Sequence, residues 1–359
     1  MSTALFATVR GPVLRHVGAP TVVFVLLGTG LVLATVLSLA TGATDVGFAD
    51  LWRFLTGRTE QMGAQTRLVI EAIRLPRTAL ALLVGAGLGL AGALMQGLFR
   101  NPLADPAVVG VTSGAATAAV AAIVLGDGVL APLAALLGQE YLPTLAFAGG
   151  LLNTALLYFF ATRGQRTSTA TLVLAGIAVG AFAAALTGIL IFLADDNQLR
   201  DITFWSLGSL GGATAARVLS VAPFVLAAII ACPFLARGLD AMALGDAVAF
   251  HMGVDVQRVK KVVILSVAAA AGATVAVTGS IGFVGIVVPH VLRLAGGASH
   301  RFLLPASALG GALLLVTADM FARTVVAPAE LPLGIITALI GAPVFLSMLL
   351  RRRPWEIAP

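Results

Sequence analysis

The chain has 359 residues, 59% of them hydrophobic and 11% charged, with a mean hydropathy of +1.03. A water-facing surface takes roughly a quarter charged residues, so this composition excludes a soluble domain and defines an integral membrane protein. The net charge of +6 then reads as Lys and Arg gathered in cytoplasmic loops, not as a nucleic-acid surface, and the single cysteine, Cys232, excludes an internal disulfide or a cysteine-built metal cage.

The apolar stretches are continuous runs, not the alternating segments of an outer-membrane barrel, so the spans are helices. The first runs over 20–41, behind Arg10 and Arg15. It is longer than a signal-peptide core of about 7–15 residues and is read as a retained span. Residues 44–77 mix charges with Trp52, Phe54 and Leu55, the pattern of a helix lying on the membrane surface. Spans follow at 78–98, 107–125, 143–162 and 171–194. A second surface piece covers Leu199–Gly212, before a sixth span at 216–235 and a seventh at 258–279. The eighth, 283–297, is short and holds Pro289, so a break or tilt is expected there. Spans at 302–321 and 333–350 complete an all-α, polytopic membrane protein of about ten helices, one transmembrane domain over 1–359.

An even number of spans puts both termini on one side. With a cytoplasmic N-terminus, about 14 basic and 5 acidic residues fall inside, against about 8 and 11 outside. Arg351-Arg352-Arg353 and the cluster Arg258, Lys260, Lys261 land inside. A faint internal echo links Gly92-x-x-Met95 and Asn101-Pro102 with Gly279-x-x-Gly282 and Val288-Pro289, a weak inverted repeat of the kind transporters carry.

Residues 85–106 read GAGLGLAGALMQGLFRNPLADP. Within them Gly87-Leu-Gly89-Leu-Ala-Gly92 spells the G-x-G-x-x-G of a dinucleotide turn, but that fingerprint needs a strand before it and water at its glycines. Here apolar runs flank it on both sides, and Gly85, Gly89 and Ala93 form a strip of small residues for close helix packing in lipid. Asn101-Pro102-Leu103-Ala104-Asp105-Pro106 is different: two prolines and two capping residue types must interrupt the helix, as a turn or as a hinge or constriction.

Several chemistries are missing. The only lysines, Lys260 and Lys261, are followed by valine, so there is no G-x-x-x-x-G-K-[ST] phosphate loop. The span interiors hold no Asp, Glu or Lys; Asp319 and Arg323 sit at one span end and Arg217 at another. Ion-coupled carriers keep a carboxylate near the midplane, so that class is disfavoured. Of four histidines only His290 falls within a span, where a haem electron carrier needs facing pairs. What remains is a pathway powered from outside. A docking candidate is Leu239–Gly253, LDAMALGDAVAFHMG, which is too short to span and too apolar for a free loop. It reads either as a helix resting on headgroups or as a lever into a motor subunit.

These residues resemble the permease subunits of bacterial ATP-binding-cassette (ABC) importers for iron-siderophores, haem and cobalamin, the FecCD-like family. The resemblance is carried by Arg74-Leu-Pro76-Arg77, Gly92-x-x-Met95-Gln96, Asn101 to Pro106, Ala243-Leu244-Gly245, Gly282-Phe283-Val284-Gly285 with Pro289-His290, and Glu330-Leu331-Pro332-Leu333-Gly334, in order over about residues 65 to 350. It implies a type II importer permease fold in the bacterial inner membrane, with both termini cytoplasmic. The partners it implies are a second copy of the chain, two ATPase subunits that bind ATP and Mg, and a periplasmic substrate-binding protein. The chain itself is implied to bind no cofactor or metal and to catalyse nothing.

The resemblance also implies site roles. Arg74, Arg77 and Arg323 would receive acidic residues of the binding protein, the structural alternative being interfacial anchoring. The coupling segment, 239–253, would seat in the ATPase through Asp240, Ala243, Leu244, Gly245, Asp246, His251 and Gly253, with His251 standing where the family often has Arg or Gln. Asn101, Pro102 and Leu103 would form one cytoplasmic gate, and Ser168 and Thr169 a second, with Ala170 in place of a residue that is often hydroxylated. For substrate, the stretch from Asp195 to Trp205 looks most like haem-uptake members. Ferric siderophore comes second and cobalamin third. The competing class is a passive channel or ion-coupled carrier.

Overall fold

The computed structural model describes residues 19–42, 46–164, 166–327 and 329–350. Arg10, Arg15 and Arg351 to Arg353, which bear on the termini, lie outside the described residues.

In chain order, α1 (Ala19–Ala40) precedes two short helices, α2 (Phe48–Leu55) and α3 (Ala64–Leu68). A π-helical stretch, Val69–Arg74, then runs without a break into α4 (Leu75–Phe99). A 3-10 turn at Pro106–Val109 leads to α5 (Val111–Leu125), α6 (Ala131–Leu137) and α7 (Tyr141–Ala161). A two-residue antiparallel pair, β1 (Thr162–Arg163) with β2 (Arg166–Thr167), turns the chain into α8 (Thr169–Leu193). There follow α9 (Asp196–Leu207), α10 (Ala215–Met242), α11 (Asp246–His251) and α12 (Val256–Thr278). The last three are α13 (Val284–Gly296), α14 (His300–Thr324) and α15 (Leu333–Leu350).

Among the described residues, 7 stretches are long and apolar enough to cross a membrane, and α5, α13 and α15 are shorter apolar helices. Together they stand at the ten expected positions. Boundaries moved where caps decide them. The third span starts late because Gly110, at φ 75, separates the 3-10 turn from α5. The surface piece expected over 199–212 begins earlier, at Asp196, because Asp195 and Gln198 form a reciprocal capping box. Pro289 lies inside α13 without ending it.

The centre of the bundle is α4, with 78% of its apolar window buried and α14, α13, α12 and α10 packed around it. Its glycines are contact points, as the small-residue strip requires. A Cβ on Gly85 would overlap the Gly311 backbone, one on Gly89 the Ser307 carbonyl, and one on Gly92 the Gly285 backbone. Gly89 and Gly92 of the G-x-G-x-x-G letters thus belong to a seam between backbones, and Gly87 meets the Thr274 and Val225 side chains. Gly92→Val is therefore expected to lower stability by about 3 kcal/mol, the upper end of overpacking costs, since backbone cannot yield as a side chain can. Gly28→Val, with open space around it, is the control. Thermal unfolding of both purified variants checks this.

At the other extreme, only 6% of the α8 window is buried. Leu174, Ile177, Phe182 and Ile189 stand exposed along it. An apolar helix of 25 residues with so little cover within its own chain must meet lipid or another protein surface.

Candidate functional site

The chain carries polar clusters at the two ends of α4. At its start, Arg77 Nε lies 3.0 and 3.1 Å from the two Asp319 oxygens, Nη2 donates to Asp319 Oδ1 at 2.8 Å, and Nη1 donates to Glu330 Oε1 at 2.6 Å. Arg323 Nη2 donates to the Ser38 carbonyl and hydroxyl at 2.7 and 2.8 Å, and its Nε stands 3.5 Å from Asp319. Arg74 Nη1 donates to the Leu39 carbonyl at 2.7 Å. Arg74, Arg77 and Arg323 are 3, 7 and 7% exposed. All three guanidinium groups have partners within the chain and stitch α1, α4, α14 and the Glu330 loop together. The physical reason is Asp319, fully buried, which needs a cation with matched geometry, and a guanidinium fork supplies it. Glu330, its side chain 41% exposed, is the carboxylate of the cluster that reaches water.

At the far end of α4 lie the expected coupling and gate residues. The predicted coupling helix over 239–253 is corrected to two pieces. Pro233 does not end α10, which continues to Met242, and Gly245 at φ 114 makes the break before α11. Asp240 consequently faces α14. Its Oδ1 accepts from the His300 backbone N–H at 2.8 Å and meets His300 Nδ1 at 2.7 Å, and Oδ2 accepts from Ser299 Oγ at 3.1 Å. It caps that helix start. Ala243, His251 and Gly253 are exposed, while Gly245 and Asp246 are half-buried. Leu244, Val248, Phe250 and Met252 are exposed at 66, 44, 70 and 61%. Four large apolar side chains on one short segment form a patch that water alone does not explain.

The gate turns are built by local hydrogen bonds. α4 ends at Arg100, a non-glycine residue at φ 52. Asn101 Oδ1 then accepts from the Leu103 N–H at 3.0 Å, with Asn101 exposed and Pro102 and Leu103 half-buried. Downstream, Asp105 Oδ1 accepts from the Ala107 N–H at 2.8 Å; burial pushes this carboxyl above its usual range, and the N–H bond opposes that shift. In the other turn, exposed Ser168 caps α8 by accepting from the Thr171 N–H at 3.3 Å, and Thr169 is half-buried.

What the structure adds is how these pieces join. Asp246, first residue of α11, receives Lys260 Nζ at 2.6 Å and lies 3.5 Å from Arg100. Lys260 also donates to the Thr167 carbonyl at 3.1 Å, and the Thr167 N–H donates to Gln257 Oε1 at 2.8 Å. Arg100 precedes the first gate turn and Thr167 the second. Sequence reasoning placed Lys260 only in a cytoplasmic charge cluster, and its pairing with Asp246 across 14 residues follows no helical period.

The fold matches, at TM-score 0.78 and 32% identity, a solved inward-facing conformation of a metal-chelate type ABC transporter, covering 92% of this chain and 99% of that one. PsaBC from Streptococcus pneumoniae shares the fold alone, at TM-score 0.51 and 16% identity. A helical bundle of this architecture, with an apolar patch at one end, is the permease of an ABC importer. The chain belongs to the FecCD transport family, which it matches over residues 30–351. It is 44% identical to the hemin transport system permease protein HmuU of Yersinia pestis, over 91% of this chain and 96% of that one. It is 40% identical to the vitamin B12 import permease BtuC of Salmonella paratyphi A, over 89 and 92%. As a member of this bacterial family it is a multi-pass protein of the inner membrane.

Proposed function

We propose that the chain imports haem as a homodimer that alternates access between periplasm and cytoplasm. In this reading two ATPase subunits, which bind the ATP and Mg, sit against the patch formed by Leu244, Val248, Phe250 and Met252, and a periplasmic protein delivers the ligand. Both termini are cytoplasmic. The observation that carries the substrate is the 44% identity with HmuU along nearly the whole chain. The exposed flank of α8 supplies a surface for the second copy or the pathway, and the turns at Asn101–Leu103 and Ser168–Thr169 supply the gates. Cobalamin is the second reading, favoured by the 40% identity with BtuC.

Proteoliposomes test both levels. Permease alone should accumulate nothing under an ion gradient, because the described spans carry no carboxylate near their middles to couple an ion, Asp240 and Asp319 standing near span ends. With the ATPase and binding protein added, hydrolysis should be stimulated more by hemin-loaded than by cobalamin-loaded binding protein. The reverse order overturns haem, and nucleotide-free accumulation by the permease alone overturns the importer reading.

A further inference from the structure

Lys260 is a buried cation with two partners that belong to different functional pieces. Its side chain is 3% exposed, near the start of α12. The ammonium holds Asp246, at the head of α11, and the carbonyl of Thr167, next to the Ser168 cap of α8. Gln257 lies three residues earlier on the same helix face and accepts from the Thr167 N–H, so the backbone N–H and carbonyl of that residue are both held by α12. A buried ammonium deprived of its carboxylate is left uncompensated in a poor solvent for charge. Separating Asp246 from Lys260 is therefore costlier than moving them together.

We propose that Lys260 is a positioning residue that ties any displacement of α11 to the start of α8. This rests on the reading of α11 as the ATPase contact. When α11 shifts, Asp246 draws Lys260 with it, Lys260 and Gln257 keep hold of Thr167, and the Ser168–Thr169 turn follows. Arg100, beside Asp246 on the other side, gives the Asn101–Leu103 turn a looser tie at 3.5 Å. A plain staple between helices would instead lower stability without separating ATP hydrolysis from gate motion.

The test uses the permease–ATPase complex carrying Ala170→Cys, an exposed position at the head of α8, with the native Cys232 buried. Two quantities are read: ATP hydrolysis, and the rate of maleimide labelling at position 170 with and without ATP–vanadate. In the parent, nucleotide trapping should change labelling about tenfold, within the span over which contacting groups couple. Lys260→Met should keep hydrolysis and lose most of that change, and Lys260→Arg should restore it. Gln257→Ala, which leaves the ion pair intact, should weaken it in the same direction and decides the matter where Lys260→Met does not assemble. The proposal is overturned by a normal nucleotide response in Lys260→Met or, failing its assembly, in Gln257→Ala, by Lys260→Arg behaving as Met does, or by a parent that hydrolyses ATP with no change at position 170. A parent complex that does not hydrolyse ATP at all overturns the ATP-driven reading itself.

Discussion

Leu244→Asp with Phe250→Asp is expected to abolish ATP-driven uptake while leaving the permease folded. Both side chains are exposed, at 66 and 70%, and neither belongs to the buried core. Surface substitutions of this kind change stability by about 0.5 kcal/mol or less. In the proposed complex with the ATPase the same side chains would become buried anchors, and losing such an anchor costs about 2 kcal/mol or more. Two together amount to roughly a thousandfold in affinity for the ATPase, before the penalty for burying two carboxylates. The measurement is co-purification with the ATPase, followed by uptake into proteoliposomes. Unchanged uptake shows that the patch faces lipid headgroups, the other reading its sequence allows.

That patch also shows where legibility in the sequence stops. Spans and their order were readable because lipid admits only helices and closed barrels, and a run of about 20 apolar residues announces a helix. The packing role of Gly85, Gly89 and Gly92 was readable because small residues at helical spacing have few other uses inside a membrane. The end of α10 was not. Pro233 carries a stop signal that the helix overrides, and the true stop is Gly245, whose positive φ cannot be told from an ordinary glycine in a sequence. Partner choice was hidden further still. Arg77 meets Asp319 across 242 positions, and only the packing of α4 on α14 brings them together. From sequence, an arginine at a span end reads as a headgroup anchor or a docking fork. In the fold it is matched to a buried carboxylate, a partner that neither reading names.

The second large effect follows from that pair. Arg77→Met leaves Asp319 fully buried, with Arg323 Nε at 3.5 Å as the remaining cation beside it among the described residues. Breaking a buried pair from one side costs about 3–5 kcal/mol, so the single variant should unfold well below the parent temperature or fail to accumulate. Arg77→Met with Asp319→Leu removes both charges, and replacing a buried pair by apolar groups is often neutral or stabilising. The double variant should therefore recover most of the loss. Glu330 does not need the arginine to the same degree, because its side chain is 41% exposed and water can solvate it. Thermal unfolding of the parent, Arg77→Met, Asp319→Leu and the double variant in detergent completes the cycle that gives the coupling between the residues. The docking role makes the opposite forecast: Arg77→Met as stable as the parent, weak toward the binding protein, and not rescued by Asp319→Leu. The bidentate geometry argues against that outcome, since an arginine already matched to an internal carboxylate has to break that match before it can receive another.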